Sequence, residues 1–302
     1  MSLPRQVIPG RYYLVTRRCT QRQFLLRPDD ETNNAFVYCL GDAAQRFEID
    51  VIATCAMSNH HHTVIFDRRG HYPQFVEHFH KMLARSQNAL RGRWENFWSS
   101  EQVSVVRLVD RRDVVRKVLY TVTNPVKDHL VDKVHHWPGV NSWTALRARR
   151  AMVAHRPTHF FRATGPMPAS IELELVIPPE LGSRTALVDE LAVLVEELEA
   201  KVAADRARTG RRIVGRRQVL RQSWRGQPTT EAPRRNLRPR VAAYSQWSRI
   251  EALMRDRDFL IAYRKARVRW RGGESVEFPP GTYWLSRFAN VALAANATLA
   301  TS

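Results

Sequence analysis

Three consecutive histidines interrupt an apolar stretch in the sequence AMSNHHHTVIF, residues 56–66. Because side chains alternate between the two faces of a strand, His60 and His62 should point to one face and His61 to the other. Two imidazoles about 7 Å apart along a strand can share one metal ion. A pair of hydrogen-bonded core histidines is the alternative that this motif alone leaves open.

A second polar group lies on a predicted helix with the sequence DRRDVVRKVLYTVTNP, residues 110–125. At 100° per residue, the valines form an apolar stripe, and Tyr120 and Asn124 lie one turn apart on the far side, with Arg116 beside them. We expect the helix to end near Asn124, because Pro125 disfavours a helical residue before it. With a metal ion to polarise a phosphate, the phenolic oxygen of Tyr120 could attack it. A tyrosine at the edge of the core is the alternative interpretation.

The elements that must position these residues alternate strands with helices. Strands are predicted at residues 12–19, 50–57, 61–67 and 103–109, and helices at 32–48, 73–90 and 111–123. The order β-α-β-β-α-β-α is a split β-α-β, ferredoxin-like pattern with an added helix. We therefore predict an α+β fold, with a catalytic domain over residues 10–155 whose antiparallel sheet carries the histidine motif.

The rest of the chain divides by composition. Residues 156–183 contain the proline and glycine breakers of a linker. A long amphipathic helix is predicted at 184–207 and another helix near 244–268, separated by segments rich in arginine and proline. We predict that residues 184–302 form a mainly helical, basic region that binds DNA.

The charge of the chain is large and concentrated. The formal net charge is +19, and residues 201–272 contain 21 Lys and Arg against five Asp and Glu. Such an excess favours a polyanionic partner, nucleic acid first and an acidic membrane surface second. Guanidinium groups contact phosphates and aromatic rings stack on unpaired bases, so tryptophans 224, 247 and 270 are stacking candidates. The residues expected to contact DNA are Arg116, Arg211, Arg212, Arg216, Arg217, Trp224 and Arg225. A solvated basic surface is the alternative.

Several classes of protein are disfavoured. The cysteines are Cys19, Cys39 and Cys55, and the absence of a Cys-x-x-Cys pair disfavours a disulfide framework and a thiolate zinc site. No stretch approaches the 18 apolar residues of a membrane span, and the N-terminus lacks an apolar signal core. We expect a cytoplasmic, nucleoid-associated protein, and both a monomer and a homodimer remain open.

Two segments resemble those of a known family. The sequence MSNHHHTVIF resembles the Asn-His-x-His signature of HUH nucleases. The sequence VLYTVTNPVKDHLV, residues 118–131, looks like the Tyr-x-x-x-Asn-Pro-Val segment of the REP-associated tyrosine transposases, which are relatives of the single-tyrosine insertion-sequence transposases. The two segments occur in the family's order, with a GRWENFW segment between them, and the resemblance covers about residues 10–150.

The resemblance implies a reaction and roles for individual residues. Tyr120 would be the nucleophile, forming a 5′-phosphotyrosine link with single-stranded or hairpin DNA and releasing a 3′-hydroxyl. His60, His62 and Asn124 would hold Mg²⁺ or Mn²⁺. The chain departs from the family pattern at His61, where an apolar residue is usual, and at Ser58, where proline is common.

Two other functions are compatible with the same fold. One is another HUH nuclease, such as a relaxase or a replication initiator, although a single candidate tyrosine argues against it. The other is a non-catalytic protein that binds hairpin DNA or RNA, which the unusual His61 leaves open.

Overall fold

The computed structural model describes residues 4–230 and 239–295. The N-terminal half follows the predicted order of strands and helices. Its elements are β1 (Arg11–Arg18), α1 (Asp30–Phe47), β2 (Ile49–Met57), β3 (His60–Asp67), α2 (Tyr72–Arg91), β4 (Ser104–Leu108) and α3 (Arg111–Lys127). The apolar pattern therefore predicted the strand that carries the histidines and the helix that carries Tyr120, whereas the short helix of the second half that carries Arg216 and Arg217 was not predicted.

The second half is mainly helical. Its elements are α4 (Trp143–Arg147), β5 (Met152–His155), β6 (Ser170–Leu173), α5 (Arg184–Thr209), α6 (Arg216–Arg221), β7 (Val241–Ala242), α7 (Gln246–Arg271) and α8 (Trp284–Phe288). Residues 231–238 of the basic region and residues 296–302 lie outside the described residues. Within the described ranges, no helix has both the length and the apolar character needed to cross a bilayer.

The fold is mixed α+β, built on a five-stranded sheet with the order β2-β3-β1-β4-β7. The first four strands pair antiparallel, whereas β7 pairs parallel with β4. On one face of the sheet, Phe36 of α1 and Phe79 of α2 pack against the ring of His61. On the opposite face, the ring of Tyr120 from α3 packs against His62. The sheet therefore separates an apolar core from the candidate site.

Helix α3 begins as predicted but ends later than predicted. Asp110 accepts a hydrogen bond from the Asp113 backbone in a capping box, which fixes its first turn. The helix then continues through Pro125 to Lys127. Proline removes only one backbone donor, and the next turn still closes, because the Asp128 N–H donates to the Asn124 carbonyl at 3.0 Å. The prediction that the helix stops near Asn124 was therefore wrong.

Helix α3 is also covered on more than one side, whereas the sequence predicted a single apolar stripe facing the core. The helix contacts β2 and β3 on one side and α5 on another. Consequently Asn124 is buried, at 4% exposure, and Tyr120 is half-buried. Both side chains were expected on the side away from the core. The difference arises because two separate layers cover this helix.

The segment predicted as a linker and the basic region both pack on the N-terminal half. Within residues 156–183, β6 pairs with β5 and buries Ile171 against Gly41 of α1, where a Cβ would overlap the isoleucine. Farther along, Val241 of β7 pairs with Arg107 of β4. The basic region thus adds a strand to the sheet that carries the histidines. The division of the chain into domains stays a prediction.

The three cysteines, Cys19, Cys39 and Cys55, are free and buried. Burial raises the pKa of each thiol well above its usual range, so these side chains behave as small apolar groups.

Candidate active site

The three histidines alternate between the faces of β3 as predicted. His60 and His62 lie on one face, with their ring centroids 4.9 Å apart. His61 points to the opposite face and is fully buried. The cause is local: β3 pairs with β1 on one side and with β2 on the other, and the register shift in β2 lies at residues 51–53, away from the partners of residues 60–62.

Hydrogen bonds orient both rings of the pair. The Nδ1 of His62 shares a 2.7 Å hydrogen bond with the Thr16 hydroxyl. The Nδ1 of His60 lies 2.7 Å from Oδ1 of Asn59, whose amide nitrogen donates to the Arg22 carbonyl, so the imidazole is the donor. Such contacts at one ring nitrogen are the usual means of orienting the other toward a metal.

The other nitrogen of His62 is unsatisfied. Its Nε2 is buried and has no hydrogen-bond partner among the described residues. Burial lowers the pKa of His60 to about 4, with a further contribution from the positive charge of Arg18. Burial likewise holds the pKa of His62 well below its usual range. Both imidazoles are therefore neutral at pH 7, the form that can bind a metal ion.

Tyr120 lies directly against this pair. Its ring centroid is 5.0 Å from that of His62, with an interplanar angle of 72°. Burial, followed by the nearby Asp128 carboxylate, raises the pKa of the phenol, whereas a hydrogen bond with Asn124 opposes the shift. The structure thus brings together the four residues predicted to act in catalysis or metal binding, from β3 and α3.

Few side chains at this site are able to bind a metal ion. The described residues contain no group of three or more His, Cys, Asp or Glu side chains placed to hold a metal ion. The candidate ligands are instead the two imidazoles and the amide oxygen of Asn124. The orphaned, buried Nε2 of His62 is the observation that fits a bound cation. Two or three protein ligands would leave positions for water or substrate oxygen.

His61 is surrounded by other buried side chains on the opposite face of the sheet. Its Nε2 is 2.8 Å from Nε2 of His80, and its Nδ1 is 3.1 Å from the Thr63 hydroxyl. Its ring also contacts Phe79 and Trp98. Because the whole sheet lies between this cluster and the candidate site, the histidine that departs from the family pattern belongs to the core.

A basic groove of about 440 Å³ leads to Tyr120. Its lining includes Lys117 and Lys127, whose ammonium nitrogens are 5.6 and 4.7 Å from the centroid of the Tyr120 ring. The far wall is formed by Tyr244, whose ring packs under the Arg116 guanidinium at 4.9 Å. The N-terminal and basic regions together therefore form this groove.

The arginines at positions 211, 212, 216 and 217 are exposed and lie on one continuous segment. The backbone of this segment donates to the carbonyls of His129 and Leu130, just beyond α3. Farther on, Gln222 contacts the hydroxyl of Ser58 in the turn before His60. The basic segment thus runs from the end of the tyrosine helix to the histidine turn.

Trp224 was predicted to be an exposed ring that stacks on bases, but the structure places it in a partly buried position. It is half-buried, packs against the core, and has the guanidinium carbons of Arg91, Arg93 and Arg225 within 4.9–5.9 Å of its ring centroid. By contrast, Trp247 is 81% exposed. Base stacking by either residue stays a prediction.

The sequence reasoning missed two residues beside the site, Lys127 and Arg18, and one exposed aromatic residue elsewhere on the surface, Trp94. Lys127 was overlooked because the helix was expected to stop before it, although it is seven residues after Tyr120. Arg18 lies opposite His60 in the sheet, which only strand register reveals. Trp94, in the GRWENFW segment, is 95% exposed on a loop anchored by the buried Phe97 and Trp98. A lone exposed tryptophan has no sequence signal that separates it from a buried one.

No protein-family model matches the chain, and no curated protein matches it. Among solved structures, the chain is similar to a REP-associated tyrosine transposase bound to a REP hairpin, with 18% sequence identity and a TM-score of 0.42 over 59% of this chain and 99% of that chain. It is also similar to a candidate transposase from Deinococcus radiodurans, with 19% identity and a TM-score of 0.28 over 35% of this chain and 85% of that chain. The structural neighbours thus include the family that the sequence motifs resemble.

Proposed function

We propose that this chain is a transposase-like, single-stranded DNA endonuclease and strand transferase that acts through Tyr120. In this proposal, the ferredoxin-like split β-α-β sheet carries an HUH motif, and α3 supplies the nucleophile. The observation that carries the proposal is the 5.0 Å contact between the rings of Tyr120 and His62, on the face of the sheet that also carries His60.

The proposed reaction is a transesterification. The phenolic oxygen of Tyr120 attacks a backbone phosphorus, and a phosphorus–oxygen bond to tyrosine forms as the bond to the 3′-oxygen breaks. The phenol loses a proton and the released 3′-oxygen gains one, so the step consumes no net proton. The 5′-phosphotyrosine link keeps the energy of the phosphodiester, and attack by a second 3′-hydroxyl reseals the strand without ATP.

His60, His62 and Asn124 would hold the divalent ion, Mg²⁺ or Mn²⁺. When bound, the ion would supply positive charge that polarises the phosphate. Imidazole nitrogens are soft ligands for Mg²⁺, so we expect tighter binding of Mn²⁺. The raised pKa of Tyr120 means that the phenol is protonated at pH 7 and must lose its proton as it attacks.

The distribution of charge supports DNA as the substrate. The groove at Lys117 and Lys127 reaches the nucleophile, and the arginine segment at 211–217 lies next to the same helix. Cationic side chains in the groove and on the arginine segment can both contact a phosphate backbone. A hairpin with a single-stranded flank is the proposed form of this DNA, because Tyr120 needs an accessible, unpaired strand. We place the protein at the nucleoid on the same grounds.

A covalent-capture assay tests the function. Single-stranded DNA that contains an imperfect palindrome and a 5′ or 3′ label is incubated with the protein and Mn²⁺, then resolved in denaturing gels. We expect a protein–DNA adduct that keeps only the label located 3′ of the cut. Tight binding without an adduct or cleavage would favour the non-catalytic alternative.

The exposed arginines at positions 211, 212, 216 and 217 should set DNA affinity. Changing all four to glutamine should weaken binding similarly for many sequences, because phosphate contacts carry little sequence information. The slope of log affinity against log salt should flatten by roughly 0.7–0.9 per lost contact. Fluorescence anisotropy over a salt series measures both quantities, and cleavage at saturating DNA should survive.

A matched control changes the same amount of charge elsewhere. The control arginines are also exposed: Arg46 is in α1, Arg69 in the β3–α2 turn, Arg85 in α2, and Arg162 in the segment that packs on α1. Their replacement by glutamine should leave the slope nearly unchanged. Equal slopes for the two quadruple variants would contradict a specific role for the 211–217 arginines.

A further inference from the structure

Arg18 is an exposed cation that belongs to the same strand register as the histidine pair. It is the last residue of β1 and pairs in antiparallel register with His60. Directly paired residues point to the same face of a sheet, as the hydrogen bond between the next such pair, Thr16 and His62, also indicates. The Arg18 side chain is exposed, and it makes no hydrogen bond or ion pair with the described residues.

The backbone beneath this side chain is held on both sides. The carbonyl of Arg18 accepts a hydrogen bond from the Ser99 N–H at 2.9 Å, and the Cys19 N–H donates to the Asn59 carbonyl at 2.8 Å. The preceding residue, Arg17, points to the opposite face, where its guanidinium carbon is 5.8 Å from the ring centroid of Trp98. The two adjacent arginines therefore have separate environments, and only Arg18 faces the site.

The position of Arg18 complements that of the other cations at the site. Its register with His60 places its charge on the sheet face that carries the histidine pair. The other cations beside the phenol, Lys117 and Lys127, belong to the helix side of the site. Arg18 supplies positive charge from the sheet side, where the histidines lie.

We propose that Arg18 binds a non-bridging oxygen of the phosphodiester that Tyr120 attacks. The inference rests on the proposed function, and it assigns a phosphate-binding role to a residue outside the histidine and tyrosine motifs. A forked guanidinium that has no partner in the described part of the chain suits the paired oxygens of a phosphodiester. Its fixed strand position would keep the phosphorus beside both Tyr120 and His60.

The role is electrostatic and is greatest in the transition state. The scissile phosphodiester carries one negative charge, and the attacking tyrosine oxygen brings a second as it loses its proton. A positioned cation lowers the free energy of this arrangement more than that of the bound substrate. Loss of Arg18 should therefore slow cleavage at saturating DNA more than it weakens DNA binding.

The test compares two substrates that differ in one charge. A single-stranded DNA with a methylphosphonate at the cleavage site lacks the negative charge of the normal phosphodiester. With the normal substrate, Arg18→Gln should cleave about 10²-fold more slowly than the unchanged chain in single-turnover assays. With the methylphosphonate substrate, the same substitution should slow cleavage by less than about tenfold, because the cleavage site has little negative charge left to neutralise. Arg18→Lys should recover at least tenfold of the loss on the normal substrate.

Arg162→Gln is the matched control, because Arg162 is also exposed and lies in the segment that packs on α1. It should leave both rates unchanged. Equal losses on the two substrates, or no loss on the normal substrate, would overturn the inference. A lysine variant as slow as the glutamine variant would also overturn it. If the unchanged chain forms no adduct, the proposed function fails and the inference with it, whereas normal cleavage by Arg18→Gln would overturn the inference alone.

Discussion

Tyr120→Phe should abolish cleavage and the protein–DNA adduct while leaving DNA binding intact. The substitution removes the only atom that the proposed reaction uses from this residue and keeps the ring that packs on His62. The lost hydrogen bond with Asn124 should cost about 1 kcal/mol or less of folding free energy. Denaturing gels after incubation with Mn²⁺ measure the adduct, and fluorescence anisotropy measures binding.

Tyr244→Phe provides a control in the same groove. Its ring packs under Arg112 and Arg116, and the substitution keeps that ring. This variant should therefore still form the adduct. An adduct that persists in Tyr120→Phe would refute the assignment of the nucleophile. Tyr72, the other tyrosine considered from the sequence, is buried at 5% exposure, which makes it a poor substitute.

His62→Ala should remove divalent-ion binding and ion-dependent cleavage together, and His60→Ala should do the same. His62→Ala removes the orphaned Nε2 that would bind the ion, and His60→Ala removes the second imidazole beside it. Changes to residues that merely orient a metal ligand weaken binding by 10- to 100-fold, so removal of a ligand should weaken it by more than about 100-fold. Calorimetric titration with Mn²⁺ measures the affinity without reference to activity.

His61→Ala separates metal binding from folding. His61 is fully buried beside Phe36, Phe79 and His80, so its truncation should leave a cavity and lower the free energy of unfolding by about 2–4 kcal/mol. The folded fraction should nevertheless bind Mn²⁺ as the unchanged chain does, because residue 61 points away from the site. Urea denaturation measures the first quantity and titration below the transition measures the second. Equal loss of Mn²⁺ binding in folded His61→Ala and His62→Ala would contradict the division of roles by strand face.

The alternation of faces was predictable because it is a local property of the backbone. Strand geometry places residues 60 and 62 together and residue 61 opposite, whatever the rest of the chain does. The start of α3 was predictable for a similar reason, since the Asp110 cap involves residues only three apart. The shared face of the histidine pair and the start of the tyrosine helix were therefore predictable before any tertiary contact was known, whereas the role of Tyr120 came from the resemblance to a known family.

What lies against each face depends on contacts between residues distant in sequence. The burial of Asn124 follows from the packing of α3 between the sheet and α5, which begins at Arg184. Arg18 lies on the face of the histidine pair because of its register with His60, which is set by pairing across more than 40 residues. The basic region's strand, β7, joins the sheet beside β4, which no local pattern predicts. Sequence periodicity determined which side chains share a face of a strand or helix. Long-range pairing and packing decided which of these faces meet. The physical reason is that such contacts join segments that are far apart in the sequence, so no short stretch of sequence contains both partners.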